Sequence, residues 1–288
     1  MKNVNPKNIV FVTGAFVGSN CWDEWQTYFQ SKGYKTIAPP WPYKEGSVAE
    51  LRSMHPSKNV GLTKLTLSEV VDSYANVIKG FAEKPIVIGH SLGGLMTQIL
   101  VNRDLAAAGV AIHSVPPLGV FPYEFSFLRG GWKSLGLFTS LKKTYLMSFK
   151  DWQYAFVNGM PLQEQQAAYE KFTIPESKMV ARGGLSSAAK VDFKKAHAPL
   201  LILSGSTDHI IPAHLNNRNF KKYKKRDDSV LDYKERIGRN HFVLGQPGWE
   251  GDADYVLGWI EDQLVSEVAN SNASQVQKIK LPAEANNV

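Results

Sequence analysis

Residues 85–95 read Pro85-Ile86-Val87-Ile88-Gly89-His90-Ser91-Leu92-Gly93-Gly94-Leu95. The apolar run that ends at Ile88 has the length and composition of a fully buried strand, and Leu95 to Leu100 resumes as an apolar helix. Between them stands Gly-X-Ser-X-Gly, the sequence form of a nucleophile elbow, a sharp strand-to-helix turn that holds a serine at its bend. Such a turn puts its serine in strained backbone and needs residues without a side chain, here Gly89 and Gly93, where strand and helix pass closely. Ser91 is therefore the candidate nucleophile. The pentapeptide alone also fits a Gly-rich turn with a solvated serine, so the rest of the chain must decide.

Two further segments follow in the order the elbow demands. Leu200-Leu201-Ile202-Leu203 is a second buried-strand run that empties into Ser204-Gly205-Ser206-Thr207-Asp208-His209-Ile210-Ile211-Pro212. This places Asp208 in a loop just past a strand end, although a loop aspartate is more often a turn-former. Tyr233 to Ile237 is strand-like and leads into Gly238-Arg239-Asn240-His241-Phe242. A lone histidine is usually an ordinary polar residue. Three chemically matched residues, each just after an expected strand and in the order Ser91, Asp208, His241, outweigh three separate bland readings.

On these residues the chain resembles the α/β-hydrolase family over roughly residues 7–265. The resemblance implies an oxyanion hole built from the backbone N–H after the nucleophile, here Leu92, and a second N–H in the loop after an early strand. That strand is Ile9-Val10-Phe11-Val12, and it runs into Thr13-Gly14-Ala15-Phe16. Ala15 is the expected donor, with Phe16 as its neighbour and substitute. Thr13 stands where many members carry histidine, a departure that leaves the donor backbone intact but bears on the loop's shape.

The 288 residues are 43% hydrophobic and 20% charged, enough to bury a large core as one domain with an insertion. The single cysteine, Cys21, cannot form an internal disulfide and has no metal-ligand spacing around it, so it is expected as a packed helix-start residue. The sequence begins polar and reaches its first strand at once. Neither a signal peptide nor a membrane span is expected, and a cytoplasmic location is the default. The charge of +7 is concentrated in Lys221-Lys222-Tyr223-Lys224-Lys225-Arg226, followed by Asp227-Asp228. With no zinc finger, aromatic RNA motif or phosphate loop beside it, this run reads as a solvated face, and no nucleic-acid partner is expected.

The scaffold is legible in outline. Trp22, Trp25 and Phe29 recur at i, i+3, i+7, predicting a helix that Gly33 ends. Thr66 and Glu69 form a capping box before Val70, Val71, Tyr74, Val77, Ile78 and Phe81, the apolar face of another helix. Ala108 to His113 is the next strand after the elbow helix. Alternating strands and helices predict an α/β fold, a mostly parallel sheet flanked by helices, with right-handed crossovers. Residues 266–288 lack an apolar face and are expected to be frayed. Core segments 1–116 and 191–265 then enclose an insertion at 117–190, with Pro161 opening a helix through Phe172. This stretch is rich in aromatic residues, among them Phe121, Tyr123, Phe125, Phe127, Trp132, Tyr145, Trp152 and Phe156. Most should form the insertion's own core. It lies where the family often carries a cap over the serine, so some should face an apolar substrate. Phe16, His90, Trp132 and Trp152 are the expected substrate-binding residues.

The resemblance implies hydrolysis of a carboxylic ester, lactone or thioester through an acyl-enzyme, with no cofactor and no metal. A serine at the elbow argues against the dehalogenases and epoxide hydrolases of the family, whose corresponding residue is aspartate. The same triad could serve acyl transfer, cofactor-free haloperoxidation, C–C hydrolysis or cyanohydrin cleavage, and some members bind ligands without catalysis. Only the pocket distinguishes these.

Overall fold

The computed structural model describes residues 6–136 and 139–279, with side chains described at all of these except 131, 132 and 266–279. Six strands, β1 (Asn8–Val12), β2 (Lys35–Ile37), β3 (Ile86–His90), β4 (Ala108–Ile112), β5 (Leu200–Gly205) and β6 (Leu231–Arg236), form one sheet in the order β2-β1-β3-β4-β5-β6. Every neighbouring pair is parallel. β1, β3, β4 and β5 are buried almost throughout, which is why they read as continuous apolar runs rather than alternating ones. The edge strands β2 and β6 are partly exposed and carry polar residues.

The helices are α1 (Asp23–Ser31), α2 (Val48–Ser53), α3 (Val60–Lys64), α4 (Leu67–Lys79), α5 (Leu92–Asn102), α6 (Phe125–Leu135), α7 (Phe149–Ala155), α8 (Leu162–Phe172), α9 (Lys178–Gly183), α10 (Ala213–Lys222) and α11 (Glu250–Ile279). The capping box at Thr66 and Glu69 forms, and α4 buries Val70, Val71, Tyr74 and Ile78. The expected first helix is split. Ser19–Trp22 is a 3₁₀ turn and α1 starts at Asp23, yet Trp22, Trp25 and Phe29 all bury the predicted stripe. Gly33 follows with φ +86°, the left-handed turn that ends it. The last helix continues in backbone to Ile279, so residues 266–279 are helical rather than irregular. Residues 280–288 lie outside the described residues.

The chain first lays β2 beside one edge of β1, then returns to place β3 on the other side and continues outward to β6. The order therefore reverses at β1 and β3, and a crevice opens beyond the carboxyl ends of these two strands. Register levels the ends. Val12 pairs with Gly89, His90 with Ile112 and Ile112 with Leu203, so loops 13–16, 91, 113–116 and 206–208 emerge along one edge.

Close approach of backbone fixes the elbow. A Cβ on Gly89 would lie 2.1 Å from the Gly93 carbonyl oxygen, and one on Gly93 would lie 2.0 Å from that of Val12. Neither obstacle is a flexible side chain. Gly93→Ala is expected to destabilise the fold by at least about 3 kcal/mol, the upper end of ordinary overpacking, read as a fall of roughly 6 to 12 °C in Tm. Gly258→Ala, whose Cβ would meet nothing within 4 Å, should leave Tm unchanged or raise it.

Candidate active site

Ser91 sits between β3 and α5 with φ 59° and ψ −121°, a sparsely populated conformation costing on the order of 1–3 kcal/mol. Hydrogen bonds hold it there. Its N–H donates to the Ile112 carbonyl at 2.9 Å, and its carbonyl accepts from Gly94 and Val115 at 3.0 Å each. The three residues singled out in the sequence converge. His241 Nε2 lies 3.0 Å from Ser91 Oγ, and His241 Nδ1 lies 2.7 Å from Asp208 Oδ2. All three side chains are buried.

Asp208 is held at both oxygens. Oδ1 accepts from the N–H groups of Ile210 (2.8 Å) and Ile211 (2.7 Å), while Oδ2 faces His241. His113 Nδ1 approaches the same Oδ2 to 2.9 Å, an ion-pair distance not aligned as a hydrogen bond. Burial pulls the Asp208 carboxyl upward, but the facing imidazoles of His241 and His113 outweigh it and hold it well below the usual carboxylate range. Burial lowers the His241 imidazole below its ordinary value, and Asp208 opposes that. The other acidic residues nearby are engaged elsewhere: Asp228 with Arg226, and Asp232 with the Trp259 indole at 2.7 Å.

The loop after β1 is pinned on three sides. The Tyr74 hydroxyl accepts from Thr13 N–H at 3.1 Å, the Trp41 indole donates to Thr13 carbonyl at 3.1 Å, and Glu176 Oε2 accepts from Phe16 N–H at 2.9 Å. This last bond removes Phe16 as a substitute oxyanion donor, because its N–H already serves a carboxylate. Among the described residues no acceptor meets the N–H of Ala15 or of Leu92. Leu92 also opens α5, where the helix dipole favours negative charge.

Glu176 was not foreseen from the sequence, nor were its partner Lys44 and His113. The Lys44 ammonium lies 2.6 Å from Glu176 Oε2 and 3.7 Å from the centre of the Trp41 ring, both charged groups being almost wholly buried. Burial lowers the Lys44 pKa, and Glu176 opposes that. A lysine and a glutamate more than a hundred residues apart leave no sequence signal of pairing. His113 did leave one, since it ends an expected strand level with the elbow.

The insertion between β4 and β5 carries α6, α7, α8 and α9 and is hydrogen-bonded to the loops that hold Phe16, Asp208 and His241. Ile174 N–H donates to the Phe16 carbonyl at 2.8 Å, Phe242 N–H to that of Phe156 at 3.0 Å, and the Asn240 side-chain amide to that of Asn158 at 3.0 Å. The Asn158 side chain in turn donates to the Thr207 carbonyl at 2.9 Å. With Ala15, Leu92 and Ser91 on one side and Phe127, Leu128, Leu135, Leu185 and Ile211 around it, the insertion closes a cavity of about 170 Å³ whose wall is almost all apolar. A larger depression of about 710 Å³ between α4, α5 and α9 is open, half polar and remote from Ser91, so the reactive groups mark the smaller one.

Four residues were expected to contact substrate. Phe16 lines the cavity. His90 does not: its Nε2 lies 2.7 Å from the His241 carbonyl oxygen, because strand alternation turns residue 90 away from Ser91 and under the histidine loop. Trp152 is also absent from the wall. It stacks on Phe156 at 4.3 Å, and Phe156 meets the His241 ring edge-on at 4.7 Å, so Trp152 supports the histidine from behind. The side chain of Trp132 lies outside the described residues. His90, His113 and His241 bring ring nitrogens within 4.8 Å of one another, yet both nitrogens of His241 already face Asp208 and Ser91, which ill suits a resident metal. Among the described residues no helix is long and apolar enough to cross a membrane.

The alpha/beta hydrolase family model matches residues 9–249, and the chain belongs to that family. Among solved structures, it is similar to an extracellular α/β-hydrolase from a Paenibacillus species, described as sharing structural and functional homology with tobacco salicylic acid binding protein 2. That match has a TM-score of 0.64 and 20% identity over 88% of this chain and 98% of the other. The monoacylglycerol lipase of Paleococcus ferrophilus matches with a TM-score of 0.62 and 20% identity over 90% and 96% of the two chains. A pyrethroid hydrolase from Sphingobium faniae matches at 0.61 and 17% over 89% and 98%. At these identities the likeness is one of fold. No curated protein matches the sequence.

Two predictions follow from the buried charges. Lys44→Met strands the Glu176 carboxylate and should destabilise the protein by about 3–5 kcal/mol, whereas Lys44→Met with Glu176→Gln should recover most of the loss in a urea melt. A general base must be neutral, and burial keeps His241 neutral below its ordinary value of about 6.5. The acid limb of kcat/KM on a model ester should therefore lie below that pH. In Asp208→Asn the one raising influence is gone, so the residual activity should show a limb shifted further to acid.

Proposed function

We propose that the protein is a serine hydrolase that cleaves a carboxylic ester, lactone or thioester of a small to medium apolar substrate. The observation that carries the reading is the continuous Ser91–His241–Asp208 relay, with two acceptor-free backbone N–H groups beside Ser91 and an apolar cavity in front of it. His241 Nε2 takes the Ser91 proton as Oγ attacks the acyl carbon, and Asp208 holds the imidazole in the required tautomer and stabilises its cation. The tetrahedral oxyanion forms between the Ala15 and Leu92 amides, where preorganised donors bind developing charge without reorienting. His241 then protonates the departing alcohol or thiol. Water, deprotonated by the same nitrogen, releases the acid and restores Ser91. These steps need no cofactor.

The insertion acts as a cap whose Phe127, Leu128, Leu135 and Leu185 enclose the acyl group. A dry cavity of about 150 Å³ accommodates benzene, so about 170 Å³ suits a short acyl chain or a single ring. The wall offers no fixed charge, which favours an uncharged group at this position. Ester or lipid substrates named for two of the structural neighbours, a monoacylglycerol and a pyrethroid, are consistent with an apolar acyl or alcohol part.

Ser91→Ala and His241→Ala should each lower ester turnover by roughly 10⁴- to 10⁶-fold with an unchanged melting curve. Near-normal turnover in purified Ser91→Ala would remove the assignment, and labelling of Ser91 by a fluorophosphonate checks it independently. Across p-nitrophenyl esters, each added methylene should gain up to about 0.8 kcal/mol, at most about fourfold in kcat/KM, until the cavity is full. A flat profile would mean an open site.

A further inference from the structure

Residues 121–125 invert the usual order of a surface segment. Phe121, Tyr123 and Phe125 are 80%, 70% and 76% exposed, while the residues between them turn inward. Pro122 lines the cavity at Ser91, and Glu124 is buried and ion-paired with Arg218 of α10. The presentation is built rather than loose. Arg218 also donates to the Phe121 carbonyl at 3.1 Å and covers the Tyr123 ring at 4.0 Å, so one guanidinium fixes the segment with its rings outward. Single exposed apolar residues are ordinary, but three large rings in alternation beside a cavity mouth form a patch that calls for a partner.

Charge identifies the partner. Lys221 and Lys222 border the same groove as Phe121 and Tyr123. Among the described residues neither lysine is ion-paired, and both are exposed. Aromatic rings beside unpaired lysines match a headgroup layer of anionic lipid, where rings sit at the polar–apolar boundary and lysines gain from the negative surface potential. A second copy of the chain fits less well, because a twofold contact centred here would bring like-charged lysines of both copies together. The segment reaches the cavity through Pro122, and Leu128 and Leu185, which also line it, are about half exposed.

We propose that Phe121, Tyr123, Phe125, Lys221 and Lys222 form a docking face for an anionic lipid–water interface, which sets the mouth of the Ser91 cavity against the amphiphile layer. Its use for catalysis rests on the esterase reading, but its test does not, since vesicle binding needs no turnover. The test is co-sedimentation of the full chain with phosphatidylcholine vesicles and with vesicles containing one third phosphatidylglycerol. Binding to the anionic vesicles should be at least tenfold tighter and should weaken steeply with salt. Phe121→Ser with Phe125→Ser should reduce it at least tenfold. Lys221→Glu with Lys222→Glu should do the same and flatten the salt dependence. Both double variants should keep the wild-type melting curve and wild-type turnover of a short soluble ester, because none of these side chains lines the cavity. The charge-reversal pair leaves the aromatic segment untouched and so stands if the other pair alters the fold.

Failure of the wild type to bind anionic vesicles, or binding that neither pair weakens, overturns the proposal. So does a concentration-dependent dimer in light scattering that Phe121→Ser with Phe125→Ser dissociates, which would give the face to a second copy. Vesicle binding in a protein that hydrolyses no ester would overturn the esterase reading alone.

Discussion

Backbone meets backbone where β1, β3 and α5 cross, and the rest of the site takes its position from that contact. The Val12 carbonyl leaves no room for a side chain at residue 93, and Gly93 leaves none at residue 89. Because β1 and β3 are paired at Val12 and Gly89, the loop that leaves one strand and the turn that leaves the other start level. Ser91 is then driven to positive φ and its neighbour Leu92 becomes the first residue of a helix. The strain is small beside the burial of the four central strands, which is why the fold can sustain it.

Polar groups buried around this crossing hold geometry more than they add stability. A buried ion pair such as Lys44–Glu176 gives up hydration on both sides, and its net worth against an apolar pair is small or unfavourable. What it supplies is an acceptor for the Phe16 amide at a fixed point. The Phe16 amide is thereby committed to a carboxylate, whereas among the described residues the Ala15 amide next to it meets no acceptor. Asp208 follows the same logic. Two backbone donors hold one oxygen so that the other faces the imidazole from a single direction.

Local chemistry made the elbow, the central strands and the order of Ser91, Asp208 and His241 legible, since each rests on a short stretch whose composition suits one conformation. The Thr66 capping box and the stripe of Trp22, Trp25 and Phe29 were legible for the same reason. Long-range choices were not. Whether an aromatic residue in the insertion faces substrate depends on how α6 and α7 lie on the sheet, and periodicity carries no information about that. Trp152 thus reads like a pocket residue but stacks on Phe156, while the exposed face of Phe121, Tyr123 and Phe125 looks in sequence like a core. β2, three residues long and partly exposed, has too little pattern to be seen. Lys44 and Glu176 become partners only through folding.

The insertion grips three loops of the site: Glu176 and Ile174 hold Phe16, Asn158 bridges Thr207 and Asn240, and Phe156 holds Phe242. It is thus a brace as much as a wall. In a lineage descending from this chain, substrate range is free to drift through the cavity-facing residues of α6 and α9, one side chain at a time. Wholesale exchange of the segment is another matter, because a replacement that shaped a new pocket but lacked those few anchoring atoms would arrive with Phe16, Asp208 and His241 out of step with Ser91.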